Sequence, residues 1–133
     1  MDDRELAAAV ERCTLAAERF DHRTHIRLAW FYLREESLLT ALVRFVTSLK
    51  RYAASLDSAT KYHETITFAF VLLIADRMHR CAASSFDEFL TANPDLAQWQ
   101  PSVLDAYYDA STLASETARS RFVLPDRETV APA

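Results

Sequence analysis

Three of the four histidines fall in two short segments, and these hold the residue types best suited to chemistry. His22 and His25 lie in Asp21-His22-Arg23-Thr24-His25, and His63 precedes Glu64 in Lys61-Tyr62-His63-Glu64-Thr65. Residues three apart on a helix share a face, so His22 and His25 could ligate one ion or one could orient the other. Three imidazoles with a carboxylate suit a transition metal ion such as Fe, Zn or Cu. With Glu64 as ligand, two histidines and one carboxylate would form an iron-type facial triad. With Glu64 unligated, His22, His25 and His63 would form a zinc site with Glu64 as general base. Without metal, His63 and Glu64 could still do acid–base work on a small molecule. Lys61 and Tyr62, beside them, are the candidate substrate-binding residues. Neither H-E-x-x-H nor the paired E-x-x-H of di-iron bundles is present.

Each residue also has a plain structural reading. Glu64 near a helix start complements the helix dipole, with Thr60 available as a cap. His22 and His25 continue an apolar stripe and suit partly covered positions. His79 lies where a cation suits the end of a helix. Trp99, Tyr107 and Tyr108 could wall a pocket or simply fill core.

The elements that must bring these residues together read as helices. Apolar spacing of three and four predicts helices over Asp3 to about Glu18, Asp21 to Arg34, Ser37 to Ser55 and Thr60 to Arg80. Shorter helices are expected near Ser85 to Ala92, Pro101 to Tyr108 and Ser111 to Arg121, with an extended tail from Phe122. The stripe Ile26, Ala29, Trp30, Leu33 centres roughly 150° from the stripe Leu38, Leu42, Phe45, Leu49. That phase jump predicts a tight break near Glu35-Glu36-Ser37, with Ser37 as N-cap. The break matters: with it, the second and fourth helices start at the same end of the bundle and the histidines can meet. The fold expected is all-α, a compact bundle of about four longer helices plus short C-terminal helices. It forms one domain over residues 1–126, with 127–133 a flexible tail.

Composition narrows the classes. The 133 residues contain no glycine, which argues against a hairpin-rich β fold and excludes glycine-rich phosphate loops. The net charge is −4 and no basic stripe appears, so nucleic acid is not an expected partner. The longest apolar run, Phe68 to Ala75, is far below the ~18 residues of a membrane span. The two cysteines, Cys13 and Cys81, form no disulfide framework. The charged N-terminal segment lacks a signal-peptide pattern, so a cytoplasmic location is expected.

The stretches Phe20-Asp21-His22-Arg23-Thr24-His25-Ile26-Arg27-Leu28-Ala29-Trp30 and Lys61-Tyr62-His63-Glu64-Thr65-Ile66-Thr67 resemble segments of a group of short bacterial all-helical proteins of unassigned function. The resemblance covers roughly residues 20 to 125 and includes Arg121 to Asp126. It implies a helical fold in which the two segments belong together, and implies no activity.

The function expected is a small-molecule enzyme with a His-rich, metal-dependent site at one end of the bundle. The alternative is a non-catalytic helical binding or protein-interaction module. A homodimer is compatible with so small a helical chain, although no residue pattern specifies one.

Overall fold

A computed structural model describes residues 1–127, and these are helical with no strand. The elements are α1 (Asp3–Glu11), α2 (His22–Glu35), α3 (Leu38–Ser55), α4 (Glu64–Arg80), α5 (Phe86–Ala92), α6 (Ala110–Leu113) and α7 (Glu116–Ser120). Single 3₁₀ turns lie at Ala17–Arg19, Ala59–Lys61, Pro94–Ala97 and Val103–Ala106. The all-α expectation is met. No helix among the described residues is long and apolar enough to cross a membrane.

The break between α2 and α3 falls at Glu36 and Ser37, as the phase jump predicts. Glu36 is extended, and the Ser37 hydroxyl accepts the Thr40 N–H. The same device starts most other helices. Asp2 caps Glu5 N–H, Asp21 caps Thr24 N–H and Ser85 caps Glu88 N–H. Each cap satisfies an N–H that has no intrahelical partner.

The helix expected over Pro101 to Tyr108 is a single 3₁₀ turn at Val103–Ala106, the one expected over Ser111 to Arg121 is divided into α6 and α7, and two ends of the longer helices also differ from expectation. The first helix stops at Glu11 rather than near Glu18. Cys13 takes the left-handed conformation (φ 59°), while Thr14 N–H reaches Ala9 O at 2.8 Å and Cys13 N–H reaches Val10 O at 3.0 Å. That is a Schellman stop, and glycine normally occupies its left-handed position. The periodic reading ran through it because no glycine marked it. α3 ends in the same way at Asp57 (φ 55°), with Ser58 N–H bonded to Ala53 O at 2.8 Å. The fourth helix starts at Glu64, not Thr60, because Ala59–Lys61 forms a separate turn and His63 is the cap.

The core gathers Leu6 and Val10 of α1, Ile26, Trp30 and Tyr32 of α2, Phe45 and Tyr52 of α3, Val71 and Ile74 of α4, and Phe86 and Phe89 of α5. A smaller cluster joins Phe70 to Leu104 and Tyr108. The C-terminal segment is extended and tied down. Thr65 Oγ1 donates to Arg121 O at 2.9 Å and accepts Val123 N–H at 3.1 Å. Tyr108 OH donates to Val123 O at 2.7 Å. The Asp126 carboxylate accepts the N–H of Asp109 at 3.0 Å and the Thr112 hydroxyl. Arg127, expected to begin a flexible tail, donates to Asp105 O at 2.6 Å. The rest of that expected tail, 128–133, lies outside the described residues.

Candidate functional site

α2, α3 and α4 meet along their buried faces, but they do not fill the space between them. A cavity of about 870 Å³ remains. Ile26 and Ala29 of α2, Phe45 and Leu49 of α3, and Ile66, Phe70 and Val71 of α4 form its apolar walls. Polar atoms enter at one end, where α2 and α4 begin: His22, His25, Lys61, Tyr62 and His63 all line it. The break at Ser37 thus brings the two histidine segments to one end of the bundle.

The three imidazoles are held in different ways. His63 is the N-cap of α4. Its Nδ1 accepts the Ile66 N–H at 3.1 Å, so the ring hydrogen is on Nε2, which donates to Leu113 O at 2.7 Å. Both nitrogens are occupied, and the ring joins α4 to α6. His22 donates from Nε2 to Leu96 O at 2.8 Å, since a carbonyl can only accept. The turn carrying Leu96 is fixed in turn by Arg77, which spans Asp95 at 2.7 and 2.9 Å and Asn93 at 3.0 Å. The Arg77 guanidinium holds the Asp95 carboxyl below its ordinary range.

His25 donates from Nδ1 to Asp21 O at 2.8 Å and stacks on Phe20, ring centroids 4.0 Å apart. Its Nε2 has no hydrogen-bond partner among the described residues. Among the described residues, no buried side-chain nitrogen or oxygen is sealed without a hydrogen bond, so this free nitrogen reaches open space. His25 is one of the residues that line the cavity. Burial pushes the His25 imidazole below its ordinary value, the bond to Asp21 O opposes it, and the neighbouring His22 adds a smaller push downward. At neutral pH it is therefore an uncharged acceptor.

Among the described residues no group of three His, Cys, Asp or Glu side chains is placed to hold an ion. The physical reason is that His63 spends both nitrogens on the backbone and His22 spends Nε2, leaving two free ring nitrogens rather than three converging ones. Glu64 also departs from expectation. Its carboxylate does not line the cavity, and its Oε1 instead accepts the Tyr62 hydroxyl at 2.5 Å. Burial and the adjacent carboxylate raise the Tyr62 phenol well above its ordinary value, so it stays protonated. Thr60, the expected cap, instead offers its carbonyl to Arg119.

Three contributors were not singled out by the sequence reading: Phe20, Tyr52 and Arg119 all line the cavity. Tyr52 was legible only as core, and it is core as well; its hydroxyl donates to Leu15 O at 2.7 Å. Arg119 comes from α7, and no local pattern links it to residues 60–62. Trp99, weighed as a pocket wall, is one: it lies half-exposed over the cavity, 5.0 Å from the His22 ring and 6.3 Å from Phe70. Of the other two aromatics weighed with it, Tyr108 is buried core and Tyr107 lies outside the lining. Neither Cys13 nor Cys81 lines the cavity.

No family model matches the chain, and neither a curated protein nor a solved structure matches it.

Proposed function

We propose that the protein binds a bulky, mostly apolar small molecule between α2, α3 and α4, with His25 Nε2 as its hydrogen-bonding point. The observation that supports this reading is the cavity of about 870 Å³. Its size falls within the range of about 300–1,000 Å³ typical of small-molecule sites, and such sites are lined mainly by apolar side chains with a few placed polar groups. A neutral acceptor in a mostly apolar wall orients a ligand at low desolvation cost, because no charge has to be buried.

The test is titration with N-phenylnaphthylamine, an uncharged apolar dye that fluoresces when removed from water. Saturable binding with one site per chain is expected. Ala53 of α3 lines the cavity and is half-buried, so Ala53→Trp places an indole in the space. That variant should keep its helical circular dichroism and lose the dye. Equal dye binding by wild type and a folded Ala53→Trp would contradict the reading.

A second reading is catalysis, with His25 Nε2 taking a proton from the bound molecule. The neutral ring, fixed by its Nδ1–H on Asp21 O, favours it, because a general base needs a free nitrogen and a fixed orientation. Any turnover found in a substrate screen should then fall in His25→Gln by a larger factor than any change in dye affinity. A metal-dependent form of this reading would require His22 and His63 to release Leu96 and Leu113. Its check is elemental analysis beside His63→Ala, after incubation with Fe(II), Zn(II) and Cu(II).

A further inference from the structure

The sign of the cavity rim narrows the ligand. The chain carries 19 acidic and 15 basic residues, yet among the described residues no carboxylate lines the cavity, and the two formally charged lining residues are both basic, Lys61 and Arg119. They sit at the same place on the rim. Arg119 reaches from α7 to donate from Nη1 to the carbonyls of Thr60 and Tyr62, the residues on either side of Lys61. Lys61 is exposed and makes no ion pair among the described residues. A third cation, Lys50, stands 4.8 Å from the centre of the Tyr62 ring.

Three carboxylates near the rim are engaged, and Glu18 and Asp57, beside the lining residues Ala17, Leu56 and Ser58, stay outside the lining. Glu64 accepts the Tyr62 hydroxyl, Asp21 accepts the Thr24 N–H at 2.9 Å, and Glu116 stands 3.8 Å from Arg119. A ligand seated among Ile66, Phe70 and Phe45 with its polar end at this rim would place that end beside Lys61, which has no ion-pair partner among the described residues.

We infer that the ligand is an amphipathic monoanion: an apolar body that fills the cavity and one carboxylate that leaves it between Lys61 and Arg119. The inference rests on the cavity being a ligand site and adds the chemistry of the head group. Lys61 and Arg119 would be specificity-determining residues. A cationic head would meet the like charge of Lys61, and a neutral head would gain nothing from it.

The experiment is displacement of N-phenylnaphthylamine by decanoate, decanol and decylamine, which share a tail and differ in head. Decanoate should displace the dye at a concentration about threefold to fivefold below decanol, the factor that one rim ion pair supplies. Decylamine should be the weakest. Added salt should shrink the gap, because exposed charges are screened. Lys61→Glu should abolish the preference for decanoate and favour decylamine; Lys61→Gln should equalise decanoate and decanol. The dye affinity of each variant is measured first, so that displacement is compared at equal dye occupancy. Equal displacement by decanoate and decanol in wild type would overturn the inference, as would a preference that survives in both variants. Absence of dye binding that Ala53→Trp removes would instead refute the cavity reading beneath it.

Discussion

His63 Nε2 donates to the carbonyl of Leu113 at 2.7 Å, fifty positions along the chain, while its Nδ1 caps the first turn of α4. One ring thereby starts the helix that forms a cavity wall and ties it to the C-terminal segment. His63 is a structural joint that also lines the cavity.

That double role separates in variants. His63→Ala removes both bonds and should cost about 1–3 kcal/mol of stability, combining a lost cap with a lost tertiary hydrogen bond. His63→Asn can still cap but cannot reach Leu113 in the same way, so it should recover about 1 kcal/mol of that loss. Urea unfolding of the three proteins, compared by midpoint and slope, measures this. Equal stability of His63→Ala and wild type would show that neither bond matters.

Stability should also fall on mild acidification through His25. Its folded-state value lies below the ordinary 6.5 because burial disfavours the imidazolium. Below about pH 6.5 the unfolded chain therefore takes up a proton that the folded chain does not. Unfolding becomes easier as pH drops from there to the folded-state value, and this contribution then levels off. His25→Gln removes that part of the slope. The check is urea unfolding across this pH range for both proteins, with the His25 ring followed by NMR. An unchanged slope in His25→Gln would place the titration elsewhere.

The two left-handed stops give a prediction about glycine, which the chain lacks. Asp57 at φ 55° accepts a conformation costing a non-glycine residue roughly 1–2 kcal/mol. Asp57→Gly relieves that cost and gives back about 0.5–1 kcal/mol through the freer unfolded chain. A net gain of about 0.5 kcal/mol is expected in denaturant midpoint. A clear loss would mean that the Asp57 side chain contributes more than its backbone costs.

The extended segment 122–126 should depend on Asp126. Its carboxyl is held below the ordinary 3.8 mainly by the Thr112 hydroxyl and the Asp109 N–H. The stabilisation is therefore present above that value and is lost as pH falls through the folded-state value. Asp126→Ala should speed hydrogen exchange at Val123, whose N–H is bonded to Thr65, without changing exchange in α2 or α3. Unchanged exchange at Val123 would show that Thr65 and Tyr108 hold the segment alone.

Much of the fold was legible because its signals are local. Asp21 and Ser37 are good cap types beside apolar stripes, and the phase jump at Glu35 to Ser37 is a property of neighbouring residues. The stop after α1 was hidden because Cys13 performs a turn usually marked by glycine. The start of α4 was hidden because a histidine cap looks like one more helical residue. At the site, local spacing located the two segments and suggested that they meet. It did not reveal where the ring nitrogens go: Leu96 and Leu113 are backbone partners, and a carbonyl leaves no trace in side-chain identity. Arg119 was invisible for a similar reason, since only the fold brings α7 to residues 60–62.

The central claim is that the space between α2, α3 and α4 is a ligand site. The most direct measurement is an NMR titration with N-phenylnaphthylamine, reading the Ala29, Ile66 and Val71 methyl groups and the His25 ring. The account predicts that these shift together and saturate at one equivalent. It also predicts little change at Leu39 and Val43, apolar residues of α3 that are 73% and 58% exposed and lie outside the cavity lining. Shifts confined to Leu39 and Val43, with the cavity methyls and His25 unmoved, would contradict it.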